Sequence, residues 1–403
     1  MNIVIVGFGV AGATAAETVR KKNPKAYITI FSREKDLFYY RLRLPEVVSG
    51  DLSPEKAIAH PKSWYDERGI ELRLGESLLE INPEEKILRG STGSRQQYDR
   101  MLLAVGAECN RPPLPGDKLD GIHAVRSLND AWTLALAAKG QKKAVLIGGG
   151  LLGLEMAYSL TRQGLTVTVL EQGERILPRQ TTPAGSALLL RQLEAMGLEF
   201  KLNCEVDRFE GHRKVENVVL KDGQDLATGL VLISAGIKPN LSLAAGLGLK
   251  TDRAIVVDEY LQTSHPDFYA AGDCAQFPGA AGGLWTTARA QGLTAGVNLV
   301  AASPAEREKY VPEPPANTLK VAGIDLVAAG DLDPDQRLKG IEASDENDYR
   351  KVVLDGENRL VGFTNIGTTR GNRELNAALA AKKVIEAQAQ AGLAKLDFDF
   401  SNL

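Results

Sequence analysis

Asn2-Ile3-Val4-Ile5-Val6-Gly7-Phe8-Gly9-Val10-Ala11-Gly12 opens the chain. The same pattern returns at Ala144-Val145-Leu146-Ile147-Gly148-Gly149-Gly150-Leu151-Leu152-Gly153. Each copy reads as an apolar strand, then Gly-x-Gly-x-x-Gly, then a helix, expected over residues 11–21 and 151–163. A lone GxGxxG is weak evidence. Between a strand and a helix its glycines acquire physical roles: a tight turn, close approach of backbone to a diphosphate, and close packing of the helix whose N-terminal dipole faces the phosphates. Two such units imply two bound dinucleotides, most simply an electron donor and an electron acceptor.

Working outward, residues 27–31 complete a first βαβ unit and residues 166–170 a second, both with the continuous apolar runs of a parallel sheet buried on both faces. Further strands are expected at 70–74, 86–88, 101–105 and 230–234. The Pro/Gly cluster at 110–117 and the Pro-rich stretch at 310–315 mark boundaries, because proline interrupts helix and sheet alike. Residues 316–403 alternate as strands do at 319–321, 325–328, 351–354 and 360–364, and end in an Ala-rich helix near 373–389.

The composition excludes several classes. The 403 residues suit two or three domains. Lys+Arg 48 against Asp+Glu 51 gives a net charge of −3, so neither nucleic acid nor an anionic membrane is indicated. Four histidines and three isolated cysteines (Cys109, Cys204, Cys274), with no CxxC or HExxH, point away from a bound metal and a dithiol pair. Scattered thiols suit a reducing compartment. With a strand beginning at residue 2 and no apolar run near 20 residues, a soluble cytoplasmic protein is expected.

The acid that meets a dinucleotide's ribose lies at the end of the second strand, about 20 residues past the glycines. In the second unit that residue is Glu171. A carboxylate accepts ribose hydroxyls and repels a 2′-phosphate, which favours NADH over NADPH; Arg175 is a more distant phosphate partner. In the first unit Ser32 occupies the acid's position and Glu34 lies two residues on, and the sequence does not choose between them.

Taken together, the blocks 7–12, Leu102-Leu103-Ala104-Val105-Gly106, 148–155 and Ala271-Gly272-Asp273 resemble the FAD-dependent pyridine-nucleotide oxidoreductases of the glutathione-reductase type, over essentially the whole chain and in the same order. The resemblance implies an α/β fold of two Rossmann-like dinucleotide-binding domains plus a C-terminal α+β domain. FAD would sit on the first fingerprint (1–108 and 237–313), NAD(P)H on the second (109–236), and 316–403 would form the interface domain. It places Gly272 and Asp273 at the flavin's ribitol and diphosphate, Gly236 at the return to the FAD domain, and Glu155 near nicotinamide and flavin. The family's Ala-Thr-Gly strand end reads Ala104-Val105-Gly106 here, which loses the threonine hydroxyl.

Where disulfide reductases and thiol-dependent oxidases of this family carry cysteine, this chain reads Tyr39-Tyr40-Arg41-Leu42-Arg43-Leu44-Pro45. Without a thiolate to attack a disulfide, the flavin must pass electrons directly to an acceptor. Cys274 reads as inert packing. Residues 38–50 and 317–331 most resemble the rubredoxin-reductase and nitrite-reductase branch. Rubredoxin or ferredoxin is therefore the expected partner, with a homodimer compatible. Hydrogen-peroxide formation and a non-catalytic redox sensor are the alternatives. In the ferredoxin-reductase branch a lysine pairs with the Glu155 equivalent, and Glu46 stands at that position here. Arg43 or Arg41 is then left to supply positive charge to a reduced flavin, against the plainer reading of helix surface. Trp285 reads as a cover for the flavin edge or as a core tryptophan. Arg41, Arg43, Lys320 and Arg370 are the candidates for a basic patch facing an acidic carrier.

Overall fold

A computed structural model describes residues 1–280, 282–312 and 316–403, the stretch 316–321 by its backbone alone. The expected linker residues 313–315 and the Lys320 side chain lie outside the described residues.

Both fingerprints grow out of the middle of a five-stranded parallel sheet. In the first, the order is Phe268–Ala270, Arg100–Leu103, Asn2–Val6, Tyr27–Ser32, Ile70–Leu74. In the second it is Leu198–Lys201, Thr166–Leu170, Lys143–Ile147, Val231–Ile233, Ile122–His123. Ile3, Val4 and Ile5 are fully buried, as the unbroken apolar run requires. The helices Val10–Lys22 and Leu151–Arg162 follow the glycines directly.

Phe268–Ala270 joins the first sheet from far along the chain. Just beyond it, the helix Trp285–Val300 lies on Val10–Lys22. Small residues permit this approach: a Cβ on Gly292 would stand 2.5 Å from the Ala11 carbonyl oxygen, and one on Gly296 would stand 2.7 Å from Thr18 Cβ. The two connections between the sheets lie side by side, Ala107–Cys109 pairing antiparallel with Ile237–Pro239. Asn110 N–H donates to the Gly236 carbonyl at 2.9 Å, and Asn240 N–H to the Gly106 carbonyl at 3.0 Å.

The third unit is an antiparallel sheet ordered Ala316–Val321, Ile324–Gly330, Leu360–Ile366, Tyr349–Leu354, Lys339–Ser344. One face shares a core with the short helix Leu44–Ser49 and with Leu154 and Leu160 of the second unit, through Leu326, Tyr349 and Ile366. The Tyr349 hydroxyl is 2.6 Å from that of Thr182. The single helix expected near 373–389 is instead two, Asn372–Ala380 and Ala387–Leu393. Lys382 between them turns to φ +47° and Leu360 N–H donates to the Lys383 carbonyl, so the sheet captures the segment that helix propensity alone would continue. Among the described residues no helix is long and apolar enough to cross a membrane.

Candidate dinucleotide sites

Identical stereochemistry builds the two glycine turns. Gly7 (φ +108°) and Gly148 (φ +106°) sit in a region that side chains avoid, and a Cβ on either would strike a backbone oxygen of the neighbouring strand end, Ala104 at 2.1 Å and Ser234 at 2.4 Å. Gly12 and Gly153 are closed in turn by the carbonyls of Gly7 and Gly148, at 2.1 and 2.5 Å from where their Cβ would lie. Gly9 and Gly150 differ: a Cβ there would meet no protein atom within 4 Å. They leave open space at the helix N-terminus, where backbone N–H groups and the helix dipole favour an anion.

At the first turn lies a cleft of about 1170 Å³, counted with its solvent-open part. Its walls include Gly7, Gly9, Ser32, Glu34, Arg41, Ala104, Gly106, Gly272 and Asp273, nine of the residues the sequence singles out. Gly272 adopts φ +81°, and its N–H donates at 2.7 Å to Oε1 of buried Gln291, which ties the Asp273 loop to the Trp285–Val300 helix. Asn240 Nδ2 donates to the Val105 carbonyl at 2.9 Å, holding the strand end where the family's threonine is missing.

Four carboxylates (Glu34, Glu76, Glu108 and Asp273) and three guanidinia (Arg33, Arg41 and Arg126) line this cleft. Arg126 donates from Nη2 to Asp273 Oδ2 at 2.5 Å and from Nε to the Ala107 carbonyl at 3.1 Å, while Asp273 Oδ1 accepts from Gly283 N–H at 3.0 Å. Arg41 donates to Glu34 Oε1 at 3.2 Å; its Nε is buried without a hydrogen-bond partner. A buried donor lacking an acceptor, beside an open glycine turn, fits a phosphate-bearing ligand. Sequence reasoning missed Arg126. Its one local signal is the capping box Ser127-x-x-Asp130 that begins the Leu128–Ala138 helix, and this says nothing of a partner 147 residues away.

At the second turn, Glu171 Oε2 accepts from Gly149 N–H and Oε1 from Gly173 N–H, both at 2.7 Å. Each oxygen keeps a further lone pair for a ribose hydroxyl. Arg175 turns instead to Glu174 at 2.7 Å.

Gly12, the second-turn residues Gly148, Gly150, Gly153 and Glu171, and Gly236, Trp285, Arg43 and Glu155 do not line this cleft. Gly236 (φ +88°) sits in the crossing connection. Half-buried Trp285 heads the helix whose Ala288 does line the cleft. Arg43 grips Glu46 in a bidentate surface pair, with contacts of 2.7–3.2 Å. Glu155 faces a smaller cavity between helices Leu44–Ser49 and Leu151–Arg162, together with Glu46, Asp51 and Arg162. Burial pushes its carboxyl up to about 7. Of the expected basic patch, Arg41 faces the cleft, Arg43 is held by Glu46, and Arg370 donates to the Asp397 carbonyl at 2.9 Å.

Burial disfavours the thiolate at all three cysteines. Cys274 is fully buried, its Sγ 3.3 Å from the Leu103 carbonyl oxygen, and burial pushes it up to about 11. Burial also raises Cys109 and Cys204. Among the described residues no group of three or more His, Cys, Asp or Glu is arranged to hold a metal.

Comparison with known proteins agrees with this geometry. Residues 315–383 match the rubredoxin NAD+ reductase C-terminal domain. The chain is 32% identical over 396 residues to the assimilatory nitrate reductase electron transfer subunit of Bacillus subtilis (strain 168), covering 96% of this chain and 51% of the relative, so it spans about half that protein's length. It is 31% identical to a rubredoxin-NAD(+) reductase of Ectopseudomonas oleovorans, over 91% of this chain and 96% of the relative. The crystal structure of NADH:rubredoxin oxidoreductase from Clostridium acetobutylicum superposes with a TM-score of 0.80 at 27% identity, covering 100% of this chain and 99% of that one. Residues 1–292, with both glycine turns, match the pyridine nucleotide-disulphide oxidoreductases, and the chain belongs to that family.

Proposed function

We propose that this chain binds FAD in the first cleft and NADH on the second glycine turn, and passes electrons to a small carrier protein of the rubredoxin or ferredoxin type. The domain boundaries we propose with it are 1–108 and 237–313 for FAD, 109–236 for NADH and 316–403 for the interface. FAD held there would supply the change from two-electron hydride donor to one-electron acceptor that a carrier protein requires. The protein's own part is to hold, orient and exclude. Gly9 admits the diphosphate, Arg41 and Arg126 supply its charge-assisted donors, and Asp273 is held ready for ribitol hydroxyls by Gly283 N–H. Gly150 admits the second diphosphate, and Glu171 accepts from the NADH ribose. Glu155, which we assign to the nicotinamide side, carries a carboxyl that burial raises to about 7, so it can donate as well as accept. Arg43, engaged by Glu46, has no role in this reading.

The observation that carries the proposal is the pairing of two glycine turns with three cysteines at which burial disfavours the thiolate. The similarity to a rubredoxin reductase and to a rubredoxin reductase C-terminal domain supports the carrier class. A steady-state panel tests it, with NADH and NADPH as donors against rubredoxin, ferredoxin, ferricyanide and oxygen. NADH with one of the iron proteins should give the highest kcat/KM. Oxygen outrunning both iron proteins, with peroxide as product, would establish the oxidase instead.

A further inference from the structure

The Tyr39 hydroxyl is saturated with partners drawn from two units. It donates to Glu34 Oε2 at 2.6 Å, and accepts from Leu128 N–H at 3.1 Å and from Arg41 Nη2 at 3.4 Å. One donor and two acceptor sites are all that a phenol has. The side chain is buried (7% exposed) in the core that carries Leu128 and Val125, and burial is the main reason its pKa stands at about 12, so the donor proton persists through the working pH range. Leu128 begins the helix whose start is fixed by Asp130, which accepts from Arg126 N–H at 3.1 Å and Ser127 N–H at 2.8 Å. Arg126 therefore leaves a rigid cap, not a free loop. Through Glu34, Tyr39 also sets Arg41.

We propose that Tyr39 is a positioning residue of the first cleft: its hydroxyl locks the two guanidinia that meet the FAD phosphates, Arg41 from the first unit and Arg126 from the second, in one geometry. Glu34 anchors this lock: its two oxygens each accept once, from Tyr39 and from Arg41, and Ser32, which ends its strand buried, lines the same cleft. The proposal rests on the reading that the first cleft holds FAD.

Its test is the rate at which purified holoprotein sheds flavin on dilution, read by the rise in flavin fluorescence. Tyr39→Phe keeps the packed ring and should release flavin roughly tenfold faster, the loss expected for one hydrogen bond to a charged group, while KM for NADH stays at the wild-type value. Because Tyr39 acts through both guanidinia, Tyr39→Phe should speed release by a smaller factor in an Arg126→Lys background than in the wild type. Ser32→Ala should speed release independently of Tyr39→Phe. Should Tyr39→Phe fail to fold, Glu34→Gln takes its place with the same expected coupling to Arg126→Lys. Unchanged release, or effects that multiply in the double variant, would overturn the lock. A purified protein without flavin would instead overturn the assignment of FAD to this cleft.

Discussion

Gly7 and Gly9 are two residues apart and answer to different constraints. A methyl on Gly7 must enter the Ala104 carbonyl and tolerate φ +108°, so Gly7→Ala should destabilise the fold by ~3 kcal/mol or more, read as a large drop in Tm. A methyl on Gly9 meets no protein atom, so Gly9→Ala should fold normally yet purify with little flavin. Gly150→Ala should keep flavin and raise KM for NADH. These glycines were legible because their spacing is local, and so was Glu171 at the strand end. Arg126 and Tyr39 were not, because the contacts that bring them to the cleft join segments far apart in sequence. Ser32 and Glu34 both line the cleft, and the sequence could not show that Tyr39 and Arg41 each engage one Glu34 oxygen.

Glu155 gives the residue scale its pH dependence. Its carboxyl, raised by burial from 4.5 to about 7, holds its proton in the folded chain after the unfolded chain has lost it. Stability should therefore fall as pH rises from about 4.5 to 7 and level off above, by up to about 3 kcal/mol. Glu155→Gln should flatten this part of the Tm–pH curve. A variant curve with the wild-type slope would place the titrating group elsewhere.

Among the elements, the pairing of helix Trp285–Val300 with Val10–Lys22 does the most to build the first cleft. Gly292 and Gly296 let the backbones meet, and Gln291, just before Gly292, holds Gly272 beside Asp273. Gly296→Val should overpack this contact and cost about 1–3 kcal/mol. It should also release flavin faster than an equally destabilising substitution in the third unit, because the disturbance reaches the Asp273 loop. Strands and helices with strong periodicity were read close to their true extents. The misjudged element was the C-terminal helix, where an Ala-rich run favoured one helix and pairing of 383–385 with the 358–360 strand start broke it in two.

At the scale of the whole molecule, the chain crosses between its two parallel sheets twice, and the crossings are stitched together by Ala107–Cys109 and Ile237–Pro239. The second unit thereby lends Arg126 to the first unit's cleft, while the third packs its sheet on the second. In the function proposed here, electrons pass from NADH to an outside carrier through flavin alone, with no protein thiol in the path. The most direct test of this is an anaerobic titration of holoprotein whose accessible thiols have been alkylated. Flavin absorbance should bleach with one equivalent of NADH per flavin and return when oxidised rubredoxin or ferredoxin is added, at the rates of the untreated protein. Loss of bleaching or of its reversal on alkylation would contradict the account.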